Sequence, residues 1–211
     1  MVLDHVVGIF THPSSEWLAI SLEKRTRFHE YINSVPFLAL IPAVCYFVGT
    51  TQVGWHADDA KELTYLTANS ALRLSILSYT SAMLGIWIFG EFIHWLHKKY
   101  CQGEFNPHHS MALAIYVVTP VYLAGFAGLW PDVMFNLLVI VLAVIYSVFL
   151  LLKGMPILMN TPKDRALKYS VAVFAVGIGL FIAMRLGTLL LWYLGFDPQF
   201  TATPSYLEWQ L

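Results

Sequence analysis

Apolar residues in this chain gather in long runs, each closed by charges or turn residues, with neither the rhythm of a soluble amphipathic helix nor the alternation of a strand. A helix crossing about 30 Å of hydrocarbon needs about 20 mostly apolar residues. Five runs qualify: 36–53, closed by Gly54-Trp55 and Asp58-Asp59; 70–97, long enough to tilt or project; 111–130, followed by the hairpin Pro131-Asp132; 133–152, ended by Lys153-Gly154 and Pro156; and 170–194, ended by Gly195 and Asp197-Pro198. Lipid offers a backbone no partner outside its own helix or a closed barrel, and these runs far exceed a barrel strand. The pattern predicts an all-α integral membrane bundle of five transmembrane helices.

Ahead of the first run, residues 1–33 lack an apolar core followed by a small-residue cleavage site, so they do not read as a signal peptide. Pro13-Ser14-Ser15-Glu16 has the make-up of a helix start, with proline in the first turn and an acid near the positive end of the helix dipole. Trp17, Phe28 and Tyr31 then share one face, and Lys24, Arg25 and Arg27 lie around the rest. This predicts an N-terminal amphipathic helix, either lying on the inner leaflet or resting across the ends of the spans. Thr161-Pro162-Lys163-Asp164 predicts another helix start that continues into the fifth run. The expected organisation is a cytoplasmic segment 1–33, a five-helix domain 34–195 and a tail 196–211 on the other side.

Short cytoplasmic loops are rich in lysine and arginine. Lys24, Arg25, Arg27, Lys98, Lys99, Lys153, Lys163, Arg165 and Lys168 fall on the side of the N-terminus, against Lys61 and Arg73 on the other. The N-terminus is therefore expected inside and the C-terminus outside. Composition supports the class: of 211 residues 58% are apolar and 12% charged, half the charge of a soluble domain. A net charge of −1 offers nucleic acid no basic face, and two cysteines, Cys45 and Cys101, make no disulfide framework.

An ionisable side chain inside a bilayer is costly enough to mark a functional position. Glu91 and Arg185 qualify. They lie about 9 Å and about 22 Å from the inner ends of their spans, so a direct ion pair needs a tilt or a kink. At 100° per residue, Asn69, Arg73, Thr80, Glu91, His94 and Lys98 make a polar stripe on the second span, expected to face the bundle interior or a wet cavity; the structural alternative satisfies Glu91 through His94 and Lys98 alone. Glu91 and His94 also have the i, i+3 spacing by which a helix offers carboxylate and imidazole to a metal. Cys101, His108 and His109 follow, ligand types suited to zinc or another divalent ion, with a solvated turn as the alternative. No other cofactor is expected. Pro42 and Pro120 free the carbonyls of Leu38 and Tyr116 and kink their spans. Ala175, Gly179, Ala183 and Gly187 repeat every four residues, a small-residue ridge for close helix approach that predicts a homo-oligomer. The chain has no glycine-rich phosphate loop, no paired-histidine zinc helix and no nucleophile elbow, which argues against an enzyme.

Four stretches carry a resemblance: His12-Pro13-Ser14; Gly49-Thr50-Thr51-Gln52-Val53-Gly54-Trp55; Tyr116-Val117-Val118-Thr119-Pro120 with Leu123-Ala124-Gly125; and Gly154-Met155-Pro156. Over nearly its whole length the chain resembles the Yip family of small five-span membrane proteins and its bacterial YohC-like inner-membrane branch, Tyr116 to Pro120 looking like the family signature of the third span. The resemblance implies a multi-pass inner-membrane protein with a cytoplasmic N-terminus and a periplasmic C-terminus, and it brings no reaction. The expected function is non-enzymatic: organising membrane lipids or binding a cytoplasmic protein partner. The alternative is a small transporter or channel for an ion or divalent metal, with Arg73, Thr80, Glu91, Tyr116, Pro120 and Arg185 along its cavity or pathway.

Overall fold

The computed structural model describes residues 2–23, 26–56, 63–100, 107–161 and 163–204. Seven α-helices run through them: α1 Val2–Thr11, α2 Pro13–Leu22, α3 Arg27–Val48, α4 Ala68–Tyr100, α5 Pro107–Leu123, α6 Val133–Leu158 and α7 Lys163–Tyr193. Five helical stretches, 27–53, 68–100, 108–129, 133–158 and 165–193, are long and apolar enough to cross a membrane, and each overlaps one of the expected runs. α4 has 33 residues, about 20 Å more than the hydrocarbon requires. α7 takes in the start expected near residue 163 and the fifth span without a break.

α5 is the centre of the bundle. Every side chain from Met111 to Val117 is buried, with α3, α4 and α6 packed around it and α7 at the rim against α4 and α6. Without a hydrophobic driving force in lipid, such packing rests on van der Waals fit and polar contacts between helices. Both are visible here: the Tyr31 hydroxyl donates to the Met83 carbonyl at 2.8 Å, and the Tyr31 ring meets Trp87 edge-on. α3 continues through Pro36 and Pro42. Past Pro120, α5 tightens into the 3-10 turn Ala124–Leu129, whose Gly125 and Gly128 lie against Pro42 and Tyr46 of α3.

One end of the bundle, here the far end, joins α3 to α4 and α5 to α6. The polar stretch after α3 forms a π-helical turn, Gly49–Val53, with Thr51 fully buried. Gly54 turns the chain at φ +74°, a conformation natural to glycine, with the Tyr65 ring on it. Strands β1 Trp55–His56, β2 Leu63–Leu66 and β3 Phe200–Thr201 close this end as a small antiparallel sheet, pairing Trp55 with Thr64 and Tyr65 with Thr201. The residues after α7 are thereby tied to the far end. The near end, opposite, carries α1, α2 and the start of α3.

Candidate functional site

The helix start expected at Pro13 is present, but the helix does not run on through Phe28 and Tyr31, which belong to α3. α1 and α2 meet at His12, and Pro13 opens α2 as its composition predicts. α2 stops at Leu22 because Glu23 is extended, and Thr26 starts α3 by accepting a bond from the His29 amide on its side chain, the usual work of an N-cap threonine. Trp17 and Tyr31 therefore sit on different helices.

α1 and α2 fold back on each other as a hairpin. His5 of α1 bonds Glu16 of α2 and, at 3.0 Å, Glu23 just beyond it; the Glu16 side chain crosses Gly8, where a Cβ would leave it no room. The hairpin lies alongside the spans. Ser21 at its base is level with the end of α6, since His109 faces both the Ser21 and Leu158 carbonyls at 3.1 Å. Higher up, Trp17 rests on Gly154 of α6 and meets the Tyr116 ring edge-on at 6.0 Å. Near the turn, Phe10 stacks on Tyr146 at 5.0 Å, twelve residues before Leu158 in α6 and so about 18 Å from that end.

Helix ends leave backbone groups without a partner inside the helix. Here the Tyr146 hydroxyl donates to the Ile9 carbonyl at 2.9 Å, the Thr11 hydroxyl to Val7 and the Ser15 hydroxyl to His12, while the His12 amide bonds the Gly8 carbonyl. Ile9, Trp17 and Ile20 are fully buried, whereas Val7, Leu18 and Leu22 point outward, 57 to 75% exposed.

Beneath the hairpin lies a polar cluster. Glu23, Glu30 of α3 and His108 of α5 bring one ligand atom each to within 4.8 Å of one another, and Glu30 and His108 are each 1% exposed. The Tyr116 hydroxyl donates to Glu30 Oε1 at 3.5 Å, and the Tyr116 ring meets His5 edge-on. Burial disfavours the charged form of His5, but the bonds its ring donates to Glu16 and Glu23 and the charges of those carboxylates outweigh it and hold this imidazole above its ordinary value.

The residues singled out by sequence scatter. Glu91 accepts from Arg27 at 2.5 Å, both side chains about a third exposed, an ion pair that the sequence reading did not foresee. Arg73 and Thr80 lie on the exposed flank of α4, and the Thr80 hydroxyl bonds the Ile76 carbonyl; the inward face of α4 is Ala82, Gly85, Ile86, Phe89 and Ile93. Arg185 is exposed on α7, its guanidinium 5.0 Å over the Phe181 ring. Tyr116 and Pro120 are buried in the central helix. Of the five metal-ligand candidates, Cys101 lies outside the described residues, Glu91 and His94 sit together on α4, and only His108 joins the buried cluster. Glu23 and Glu30 escaped the sequence reading; the available signal was that Glu30 shares the apolar face of Ser34, Val35 and Leu38.

Residues 7–184 match the Yip1 domain. Two curated relatives, each called inner membrane protein YohC, from Escherichia coli K12 and from Escherichia coli O6:H1 strain CFT073, are 34% identical over 194 residues, covering 92% of this chain and 98% of the relative. No solved structure matches the chain.

Proposed function

The chain belongs to the Yip1 family, and from that footing we propose that it is a non-enzymatic bacterial inner-membrane protein that organises the inner leaflet through its N-terminal hairpin, with a cytoplasmic N-terminus and a periplasmic C-terminus. The observation that carries this reading is the hairpin beside α5 and α6, closed on its own backbone groups and apolar on its outer side. Counted from Val133, about 30 Å of hydrocarbon along α6 ends near Lys153. The turn, level with Tyr146, then lies about 10 Å inside the hydrocarbon. It fills area in one leaflet only, a property that makes binding and local shape depend on curvature and lipid composition. Exposed Lys98, Lys99, Lys153, Arg165 and Lys168 surround the same end and suit anionic headgroups or an acidic cytoplasmic partner.

A spin label at Val7, outward-facing and one helical turn from Phe10, in the full-length protein in lipid vesicles tests the placement. Collisions with oxygen, which concentrates in hydrocarbon, should exceed those with a water-soluble nickel complex, and the label should stay silent to aqueous thiol reagents. Nickel-dominated relaxation would place the hairpin in water and end the reading.

The relatives' location fits a protein that assembles within that membrane, and α7 supplies the surface. Ala175, Gly179, Ala183 and Gly187 all lie exposed, with open space where a Cβ on Gly179 or Gly187 would stand, while α7 turns Ala166, Ser170 and Val173 to the bundle. A second copy packing ridge to ridge would cover this face. Energy transfer between labelled copies in vesicles should drop on Gly179→Leu; transfer equal to that of the unchanged chain would refute the pairing.

A further inference from the structure

We infer that Glu23, Glu30 and His108 form a binding site for one divalent first-row transition ion, zinc or manganese, at the seam where α2, α3 and α5 meet. Each ligand comes from a different element: Glu23 from the residue that ends α2, Glu30 from the first turn of α3, His108 from the first turn of α5. Their ligand atoms lie within 4.8 Å of one another. An ion bound tetrahedrally at about 2.0–2.2 Å from each draws such atoms to about 3.3–3.6 Å apart, so the three need close by about 1.5 Å at most from the separation seen.

Charge points the same way. Taking a carboxylate out of water costs several kcal/mol after relaxation; Glu30 is 1% exposed beside an equally buried His108, and Glu23, about a quarter exposed, brings a second carboxylate to the same point. A divalent cation is drawn to both. The surroundings have the outer contacts that orient metal ligands: His5 Nε2 lies 3.0 Å from Glu23 Oε1, and the Tyr116 hydroxyl donates to Glu30 Oε1. An imidazole beside two carboxylates selects a borderline ion over calcium or magnesium, which take oxygen ligands alone. Bound there, the ion clamps the base of the hairpin to the central helix.

The whole protein, purified in detergent and stripped with a chelator, should take up one equivalent of Zn²⁺ or Mn²⁺ by calorimetry, with Mg²⁺ failing to compete at equal concentration. His108→Ala and Glu30→Gln should remove uptake, and His94→Ala should leave it unchanged. His5→Gln, which touches only an orienting contact, should weaken binding about 10–100-fold. Should the ligand variants fail to fold, the unaltered protein decides: Co²⁺ should give the visible bands of a nitrogen and oxygen site and Zn²⁺ should erase them. Absence of stoichiometric uptake, equal binding of Mg²⁺, uptake that survives His108→Ala, or no Co²⁺ bands would each overturn the site.

Discussion

Gly49→Val should lower the stability of the bundle by about 3 kcal/mol, the upper end of overpacking costs. A Cβ on Gly49 would stand 1.9 Å from the Gly128 carbonyl oxygen. That obstacle is backbone, so no change of rotamer relieves it. Nor can the two segments part easily: Gly125 is set against Pro42 and Gly128 under the Tyr46 ring, with would-be Cβ distances of 2.7 and 2.9 Å, so the seam between α3 and the 3-10 turn is held at three places. Forcing one apart loosens the other two, and with them Thr51 and the small sheet beyond. Gly187→Val on the outer face of α7, where a Cβ meets nothing within 4 Å of the same chain, supplies the comparison when single copies are measured in dilute detergent, with no second copy over that face. Unfolding of both variants in detergent by denaturant titration gives the difference, and a Gly49 variant within about 0.5 kcal/mol of the α7 one, the scatter expected of unconstrained surface positions, would show that the seam yields.

The spans were legible because lipid imposes a length and a composition that few other structures share. Their ends were less so. The first span begins at Arg27 rather than in the mid-thirties because Thr26 caps it, a bond between neighbouring residues that competes with an equally plausible run of helix from Trp17. The close approaches at Gly49, Gly125 and Gly154 fall within the stretches that carried the family resemblance, yet their partners, Gly128, Pro42 and Trp17, belong to other elements. Spacing shows a small residue; only the fold shows what rests on it.

The same limit explains the candidate site. Helical periodicity brings together residues three and four apart, so it joined Glu91 to His94. The bonds that form are long-range: Arg27 to Glu91 across 64 positions and Tyr116 to Glu30 across 86. Tyr116 was legible through its local motif, and His108 as one of the ligand types that follow Glu91 and His94 in the sequence. The acids that meet His108 come from the hairpin base and the first turn of α3, within the segment read as a single amphipathic helix.

Trp17→Ala should release the hairpin while leaving the five spans folded. Trp17 is fully buried; its ring covers Gly154 and meets Tyr116 edge-on, and truncating a buried tryptophan costs about 3–5 kcal/mol. Trp17 is the largest of the side chains that hold the hairpin to the bundle, others being Ile9 and Ile20, fully buried in the same core, and Phe10 on Tyr146, with the Tyr146 bond to Ile9. A loss of about 3 kcal/mol is a factor of about 100 in the opening equilibrium, and exchange of the α1 and α2 amides should accelerate by that factor, while α5, at the centre, keeps its protection. Trp17→Phe, which keeps an aromatic ring on Gly154, should cost clearly less. If the alanine variant exchanged like the unchanged protein, Trp17 would not be the anchor; if all five spans lost protection together, the hairpin would be part of the bundle's cooperative core and not a separable element of the leaflet.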